Sequence, residues 1–381
     1  MLYSCVVNYL SMKILQVIFG MQKAAGTSVF CGEVCNGLSA LGHDVTIAVV
    51  NPDSSDCYHI DSRVKLVSIA RILKDSMSSA RVDYDLIHIH ALWSPELHKI
   101  SSWARKNNIP IVWSPHGMLT PWAMHNKWWK KYLAWWLYQR QDLRNAEMLH
   151  VTADSEVADV RRMGLKNKMI VAPLGVKVNS HLEHHAWADG KKTLLFVSRI
   201  QKKKGLFNLI QAWATLKQQS QNTKHEFSSW GIRIVGPDQE NHTAELSSLC
   251  NELGVAKDFT FVGPKYDKQL HQEYAAADLF VLPTYSENFG SVVIEALGHA
   301  VPVICTKGAP WSELESRRCG WWVDVGVAPL ADALKQAMSL DAAQLREMGA
   351  RGRALVEEKY TWDAVVTTMV KGYEEVLSGR T

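Results

Sequence analysis

The 381-residue sequence has no CxxC pair, no GxGxxG turn and no GxxxxGK[ST] loop, and nothing beyond its first 21 residues approaches a long apolar run. Each absence excludes a class. A helix needs roughly 18 to 20 consecutive apolar residues to cross a bilayer, so the chain is not expected to span a membrane. Without the glycine fingerprint a nicotinamide or flavin dinucleotide site is not expected, and without the second pattern the ordinary P-loop nucleotidases are excluded. The seven cysteines are an odd number, with Cys31 and Cys35 one helical turn apart. This suits the reduced thiols of a cytosolic protein better than a disulfide scaffold. Charge of one sign is also scarce: 42 basic against 38 acidic side chains leave +4, too little to suggest a nucleic-acid partner.

What is present is ordinary globular material, 47% apolar and 21% charged, and a prior of roughly 150 residues per domain gives two or three domains. Charge is uneven, with 19 basic against 14 acidic residues through position 175 and 23 against 24 after it. The anomaly is tryptophan: of 15, eight lie between Trp93 and Trp136. Met1–Met21 has the look of a signal or anchor, but no basic residue precedes the apolar stretch, Lys13 interrupts it and no small-residue cleavage site follows. Residues 1–11 are therefore read as an extension, and Lys13–Ile18 as a first buried strand.

Short β-branched runs alternate with longer helical patterns, the signature of βαβ units and a parallel sheet. Strands are expected at 13–18, 45–50, 84–90, 109–113, 147–151 and 169–172, with helices at 28–42, 126–145 and 154–163. The pattern stops at 177–191, read as a linker. It restarts with strands at 193–198, 231–235, 259–262, 279–282, 302–305 and 321–323 and helices near 206–219, 240–253, 267–277 and 291–299, ending in a helix at 361–378. The expected fold is α/β: two Rossmann-like domains, 1–176 and 192–360, facing across a cleft, with 361–381 as a closing helix. Ligands of such sheets bind beyond the carboxyl ends of the strands.

Three loops there carry candidate chemistry. After the first strand, Gly26 stands just ahead of a helix, where bare backbone N–H groups can approach an anion. After the strand at 193–198 come Arg199 and the turn Lys202-Lys203-Lys204-Gly205, either a solvated basic turn or a pair of phosphate contacts. After the strand at 279–282, Glu287 precedes a helix that carries Glu295, while Gly290 and Ser291 leave the first-turn N–H groups open. Glu295 is flanked by Ile294, Ala296 and Leu297, where a carboxylate needs partners. A vicinal diol such as a ribose would supply them; so would a buried salt bridge.

Glu287-x7-Glu295, Arg199 with Lys204-Gly205, Phe261-Val262-Gly263 and Trp113-Ser-Pro-His116-Gly together resemble glycosyltransferase family 4, retaining nucleotide-sugar transferases of the GT-B fold. The resemblance runs from Lys13 to the last helix. It implies that Arg199 and Lys204 hold the diphosphate of a UDP- or GDP-sugar and stabilise it as it leaves. It further implies that Glu295 binds the ribose hydroxyls, and that Glu287, with the backbone at Phe289 and Gly290, contacts the sugar. Ser291 and Val262 would line the donor site, His116 would hydrogen-bond the sugar near its reacting face, and Gly26 would line the phosphate. The last helix would cross back onto the N-terminal domain. The sequence departs from the family where Ala24-Ala25 replace paired glycines before Gly26, and where Ala300 replaces a glycine. No metal or other cofactor is implied, because Arg, Lys and a helix N-terminus can neutralise a leaving diphosphate. No carboxylate is evident for a covalent intermediate, which favours attack on the same face as departure.

Asp83-Tyr-Asp85 could hold a metal–diphosphate, but it lies at a strand start, the wrong end for the site. His88 and His90 could mimic a zinc pair, although satisfied buried histidines are commoner; His90 could also touch the acceptor. Trp122, Trp128, Trp129, Trp135 and Trp136, with Lys127, Lys130, Lys131 and Arg140, read either as an interfacial helix on an anionic leaflet or as a helix packed on its own domain. The function expected is transfer of a hexose to a glycan or lipid-linked acceptor in cell-surface polysaccharide synthesis (O-antigen, capsule or exopolysaccharide). The protein would be cytoplasmic, with peripheral attachment to the inner face of the membrane. A nucleotide-sugar epimerase of the same fold, or a non-catalytic glycan- or membrane-binding scaffold, are the alternatives.

Overall fold

The computed structural model describes residues 11–22, 26–50, 58–75, 83–125, 127–178, 191–220, 229–239 and 241–380. The expectations for the extension 1–11 (Ser11 apart), for Ala24-Ala25 and for most of the linker 177–191 lie outside the described residues. The chain forms two compact units. One runs to Gly175 and takes in the chain again from Trp362; the other is Val176–Thr361.

The first unit is a seven-stranded sheet in the order β3-β2-β1-β4-β5-β6-β7. Its strands are β1 Lys13–Val17, β2 Asp44–Val49, β3 Lys65–Ser68, β4 Leu86–His90, β5 Ile111–Ser114, β6 Met148–Val151 and β7 Lys168–Val171. All neighbours pair in parallel. Parallel strands are covered on both faces, which is why they read as nearly continuous apolar runs. One face packs on the helices Gly26–Ala40 and Trp362–Ser378 through Phe30, Val34, Leu38, Val366, Met369 and Val370. The other packs on Pro95–Lys106 through Leu97, Ile100 and Ala104. The closing helix thus crosses back onto the first sheet. It lies close: a Cβ on Gly372 would stand 2.5 Å from Ile170 Cδ1.

The second unit is a six-stranded parallel sheet in the order β10-β9-β8-β11-β12-β13. Its strands are β8 Lys192–Val197, β9 Trp230–Val235, β10 Phe259–Gly263, β11 Leu279–Leu282, β12 Val303–Thr306 and β13 Gly320–Val323. In each sheet the strand order reverses at one place, between β1 and β4 in the first and between β8 and β11 in the second. Chain connections leave such a switch point in opposite directions and open a crevice at the carboxyl ends. The loops singled out from the sequence after β1, β8 and β11 all flank a switch point.

The expected strands are present, with boundaries moved by one or two residues. Strand β3 and the helix Pro95–Lys106 were not anticipated. The expected helix 126–145 is the largest departure. Lys127 takes a left-handed conformation, φ 50°, so the segment breaks into Pro121–His125, Trp128–Ala134, a π-helical turn Trp135–Gln139, and Arg140–Arg144. The π turn accompanies the burial of both Trp135 and Gln139, and the Gln139 amide oxygen accepts the Trp93 N–H at 2.8 Å.

Candidate active site

In the second unit, β8 ends at Val197 and places Arg199 at the sheet's carboxyl edge. Arg199 is exposed, and its Nη1 makes a long 3.4 Å contact with Gln239 Oε1. The next turn, Lys202–Lys204, is 3₁₀ and drives Lys204 inward, where its side chain is only 7% exposed and pairs with the Glu287 carboxylate. Burial lowers the Lys204 pKa and Glu287 holds it up, while Lys203 and Arg199 add to the lowering. An ion pair this enclosed needs both members, since removing one strands a buried charge.

Backbone stitching keeps the loops together. The Lys203 carbonyl accepts the Tyr285 N–H at 2.9 Å and the Thr284 hydroxyl at 3.1 Å, and Glu287 N–H donates to the Gly308 carbonyl at 2.7 Å. Three loops, after β8, β11 and β12, are therefore interlocked around the Lys204–Glu287 pair. Gly205 makes the approach feasible: its φ is +73°, and a Cβ there would lie 1.9 Å from the Pro283 carbonyl oxygen. Gly205→Ala is expected to force these loops apart. The expected cost is about 2 kcal/mol or more of stability, from left-handed strain plus the clash. A urea midpoint equal to wild type would contradict it.

Gly290, at φ +80°, turns the chain into the helix Ser291–Gly298, whose first turn is capped by no side chain. Phe289 is buried at 5% exposure with its ring against Trp311 and Tyr360. Its carbonyl accepts the Trp311 indole N–H at 2.6 Å. Glu295 accepts a hydrogen bond from the buried Tyr274 hydroxyl at 2.8 Å, and burial raises its pKa. A hydroxyl, not a cation, is thus its protein partner in this structure, and no salt bridge involving Glu295 occurs among the described pairs. Val262 sits where the β9–β10 pairing skips a residue between Phe261 and Gly263, at the carboxyl edge and partly buried. Ala300 takes φ 56°, the conformation for which a glycine is usual.

The remaining candidates belong to the first unit. Gly26 opens the helix Gly26–Ala40 and is exposed, with open space where a Cβ would stand. His116 follows β5 in a left-handed turn, φ 52°, continued by Gly117 at 71°. The turn is anchored by Glu156, which accepts the Gly117 N–H. Glu156 also takes the Thr152 N–H and hydroxyl at 2.8 and 2.9 Å, and burial raises its pKa despite these bonds. Sequence reasoning missed Glu156; its only signal was an acidic residue in the first turn of a helix (Asp154–Arg162).

The decoys have structural employment. Asp85 accepts the Lys13 N–H at 2.7 Å and Asp83 pairs with the Lys13 ammonium. His88 and His90 are fully buried and hydrogen-bonded at every ring nitrogen. No cluster of three or more metal-ligating side chains occurs among the described residues. Cys31, Cys35, Cys250, Cys305 and Cys319 are free and buried. No helix among the described residues is long and apolar enough to cross a membrane.

Two family models match in tandem: "Glycosyltransferase Family 4" over residues 24–180 and "Glycosyl transferases group 1" over 178–355. The chain belongs to glycosyltransferase family 4. This glycosyltransferase is 28% identical to a D-inositol 3-phosphate glycosyltransferase of Corynebacterium urealyticum over 77% of this chain and 72% of that one. It is 23% identical to the like-named enzyme of Corynebacterium aurimucosum over 94% and 93%. Among solved structures it resembles a Rickettsia africae glycosyltransferase, with TM-score 0.73 and 16% identity over 97% of this chain and 99% of that one. It also resembles Anabaena HepE in complex with UDP and glucose, with TM-score 0.68 and 16% identity over 97% and 100%. Both neighbours bear on the fold, and the two-sheet architecture is GT-B.

Proposed function

We propose that this glycosyltransferase moves a hexose, with retention of configuration, from a UDP- or GDP-sugar to a glycan or lipid-linked acceptor of a cell-surface polysaccharide. The observation that carries the reading is the enclosed Lys204–Glu287 pair at the switch point of the second sheet, beside the exposed guanidinium of Arg199. Lys204 and Arg199 offer positive charge to a diphosphate, and the uncapped first turn at Ser291 adds backbone N–H groups. Charge that develops on the leaving diphosphate is neutralised by groups already in place, and no divalent ion is required. Glu287 accepts sugar hydroxyls with the Phe289 N–H and Gly290 beside it, Glu295 accepts the ribose hydroxyls, and Val262 borders the nucleotide. His116 and Gly26, on the first unit, are the remaining candidates for the sugar and the phosphate. The crystallised HepE holds UDP and glucose, which supports a nucleotide-sugar donor here.

A thermal-shift screen of UDP, GDP and their hexose conjugates tests the reading. A ligand at a hundredfold excess over its Kd adds about 2.7 kcal/mol to the folded form, so one base series is expected to raise the melting temperature clearly. No shift with any nucleotide would overturn it.

The lipid-linked acceptor is favoured by the surface of residues 121–140. Trp122, Trp128, Trp129 and Trp136 are 65, 62, 57 and 58% exposed, as are Leu133 and Leu137 at 56 and 69%, whereas Trp135 is buried. Lys130 and Arg140 lie over the rings of Trp129 and Trp136 at 5.2 and 4.8 Å. Trp136 also borders an apolar cleft of about 440 Å³, lined among others by Met124, Tyr132, Trp135 and Met163. Exposed aromatic rings interleaved with cations match a headgroup layer. Replacing Lys127, Lys130 and Lys131 with Glu is expected to abolish co-sedimentation with anionic phosphatidylglycerol vesicles; unchanged sedimentation would dispose of the peripheral, inner-face location.

A further inference from the structure

Four successive strands of the first sheet each bury polar side chains: Gln16 on β1, His88 and His90 on β4, Ser114 on β5 and His150 on β6. With His116 and Tyr373 they form one hydrogen-bonded chain, and its far end decides its direction. His150 Nε2 lies 2.7 Å from the Ala172 carbonyl oxygen. A carbonyl only accepts, so Nε2 carries the proton, and the neutral ring leaves Nδ1 as an acceptor. Ser114 therefore donates to His150 Nδ1 at 2.6 Å and accepts from His88 Nε2 at 2.5 Å. His88 Nδ1 must then accept from the Tyr373 hydroxyl at 2.6 Å. That hydroxyl in turn accepts from the Gln16 amide nitrogen at 3.0 Å. The Gln16 amide oxygen accepts from His90 Nε2 at 2.7 Å, so His90 Nδ1 is a lone pair and accepts from His116 Nε2 at 3.0 Å. No bond in the chain is left to choice.

We propose that this chain is a tautomer lock on His116. It holds the ring as the Nε2–H form and so presents Nδ1, which has no partner among the described residues, as a hydrogen-bond acceptor for a sugar hydroxyl. Gln16, His90 and Tyr373 are positioning residues. They touch no substrate, but a ring free to change tautomer would present a donor at the same place half-heartedly or wholly, and a hydroxyl held by its proton would lose its acceptor. Burial supports the arrangement by keeping the rings neutral: His88 and His90 are pushed well below the ordinary histidine range, His150 to about 4 and His116 to about 3. The inference rests on the reading that His116 contacts the sugar.

The test is the ring-nitrogen NMR spectrum of ¹⁵N-labelled full-length protein at neutral pH, with turnover measured on the same samples. Wild type is expected to show His116 as a single Nε2–H tautomer. Gln16→Met, which removes the acceptor for His90, is expected to shift His116 toward the Nδ1–H form and to lower kcat about tenfold, the scale of one hydrogen bond. Tyr373→Phe, which spares the packing, is expected to move the signals of His88 and then, more weakly, those of His116. A wild-type His116 ring averaging between tautomers would overturn the lock, and so would His116 signals unmoved in both variants. Full turnover in His116→Ala, with the wild-type ring locked, would instead remove the contact with sugar on which the inference rests.

Discussion

Arg199→Ala is expected to lower turnover at least tenfold while leaving the melting temperature unchanged. Arg199 stands at the carboxyl end of β8, is exposed, and makes one long contact with Gln239. Deleting it opens no cavity and strands no partner, so folding is spared. Its field is nonetheless felt at the site, since it contributes to lowering the pKa of Lys204. In the proposed reaction charge develops on the diphosphate as the glycosyl bond breaks, and one lost charge-stabilising donor typically costs about 10²–10³ in kcat. Lys204→Ala would be a poorer probe, because it leaves the Glu287 carboxylate buried without its cation. Release of nucleotide diphosphate is the measurement; wild-type kcat in the variant would refute the role.

The second large effect is on acid stability. His88, His90 and His150 are fully buried, and burial lowers the pKa of each, that of His150 to about 4. In the unfolded chain the same rings titrate near 6.5. Above that pH both states are neutral and stability is complete. As pH falls from 6.5 toward the folded-state values, the unfolded chain takes up protons that the folded one refuses, so stability falls. Each ring that stays neutral in the fold costs about 1.4 kcal/mol per pH unit below its unfolded value. Glu156 and Asp159, whose pKa values burial raises, work in the opposite direction, while His116 and His43, lowered by burial, add to the loss. A domain's whole stability is only about 5–15 kcal/mol, so several such rings acting together weigh on it. Urea titrations followed by tryptophan fluorescence at pH 7.5 and 5.0 should therefore show a sharply lower midpoint at the acid pH for the unit that holds these rings. Equal midpoints would contradict the buried, neutral cluster.

The fold was legible because parallel strands buried on both faces leave continuous apolar runs, and all but one of the strands announced themselves in this way. Strand β3, Lys65–Ser68, pairs with β2 alone and is only partly buried, so its pattern is weak. The break at Lys127 was invisible because the apolar spacing continues through it; only φ reveals it. Lys204 and Glu287 were legible as separate candidates, one after each strand, but their pairing depends on the close passage of Gly205 under Pro283, which no local pattern encodes. The histidine chain left a fainter trace. A lone polar residue in each of several buried strands is costly unless partners face it, and Gln16, His88, Ser114 and His150 were each such a residue. Strand register brings the partners close but on the diagonal: Gln16 stands opposite His88 and bonds His90, while Ser114 stands opposite His90 and bonds His88.

The central claim is that Arg199, Lys204 and the open helix turn after Gly290 carry the leaving diphosphate by themselves. Turnover of a UDP- or GDP-hexose, taken as release of UDP or GDP by protein stripped with EDTA and assayed in its presence, tests this most directly. The account predicts an undiminished rate with no gain on adding Mg²⁺ or Mn²⁺; arrest by the chelator and recovery with the metal would contradict it.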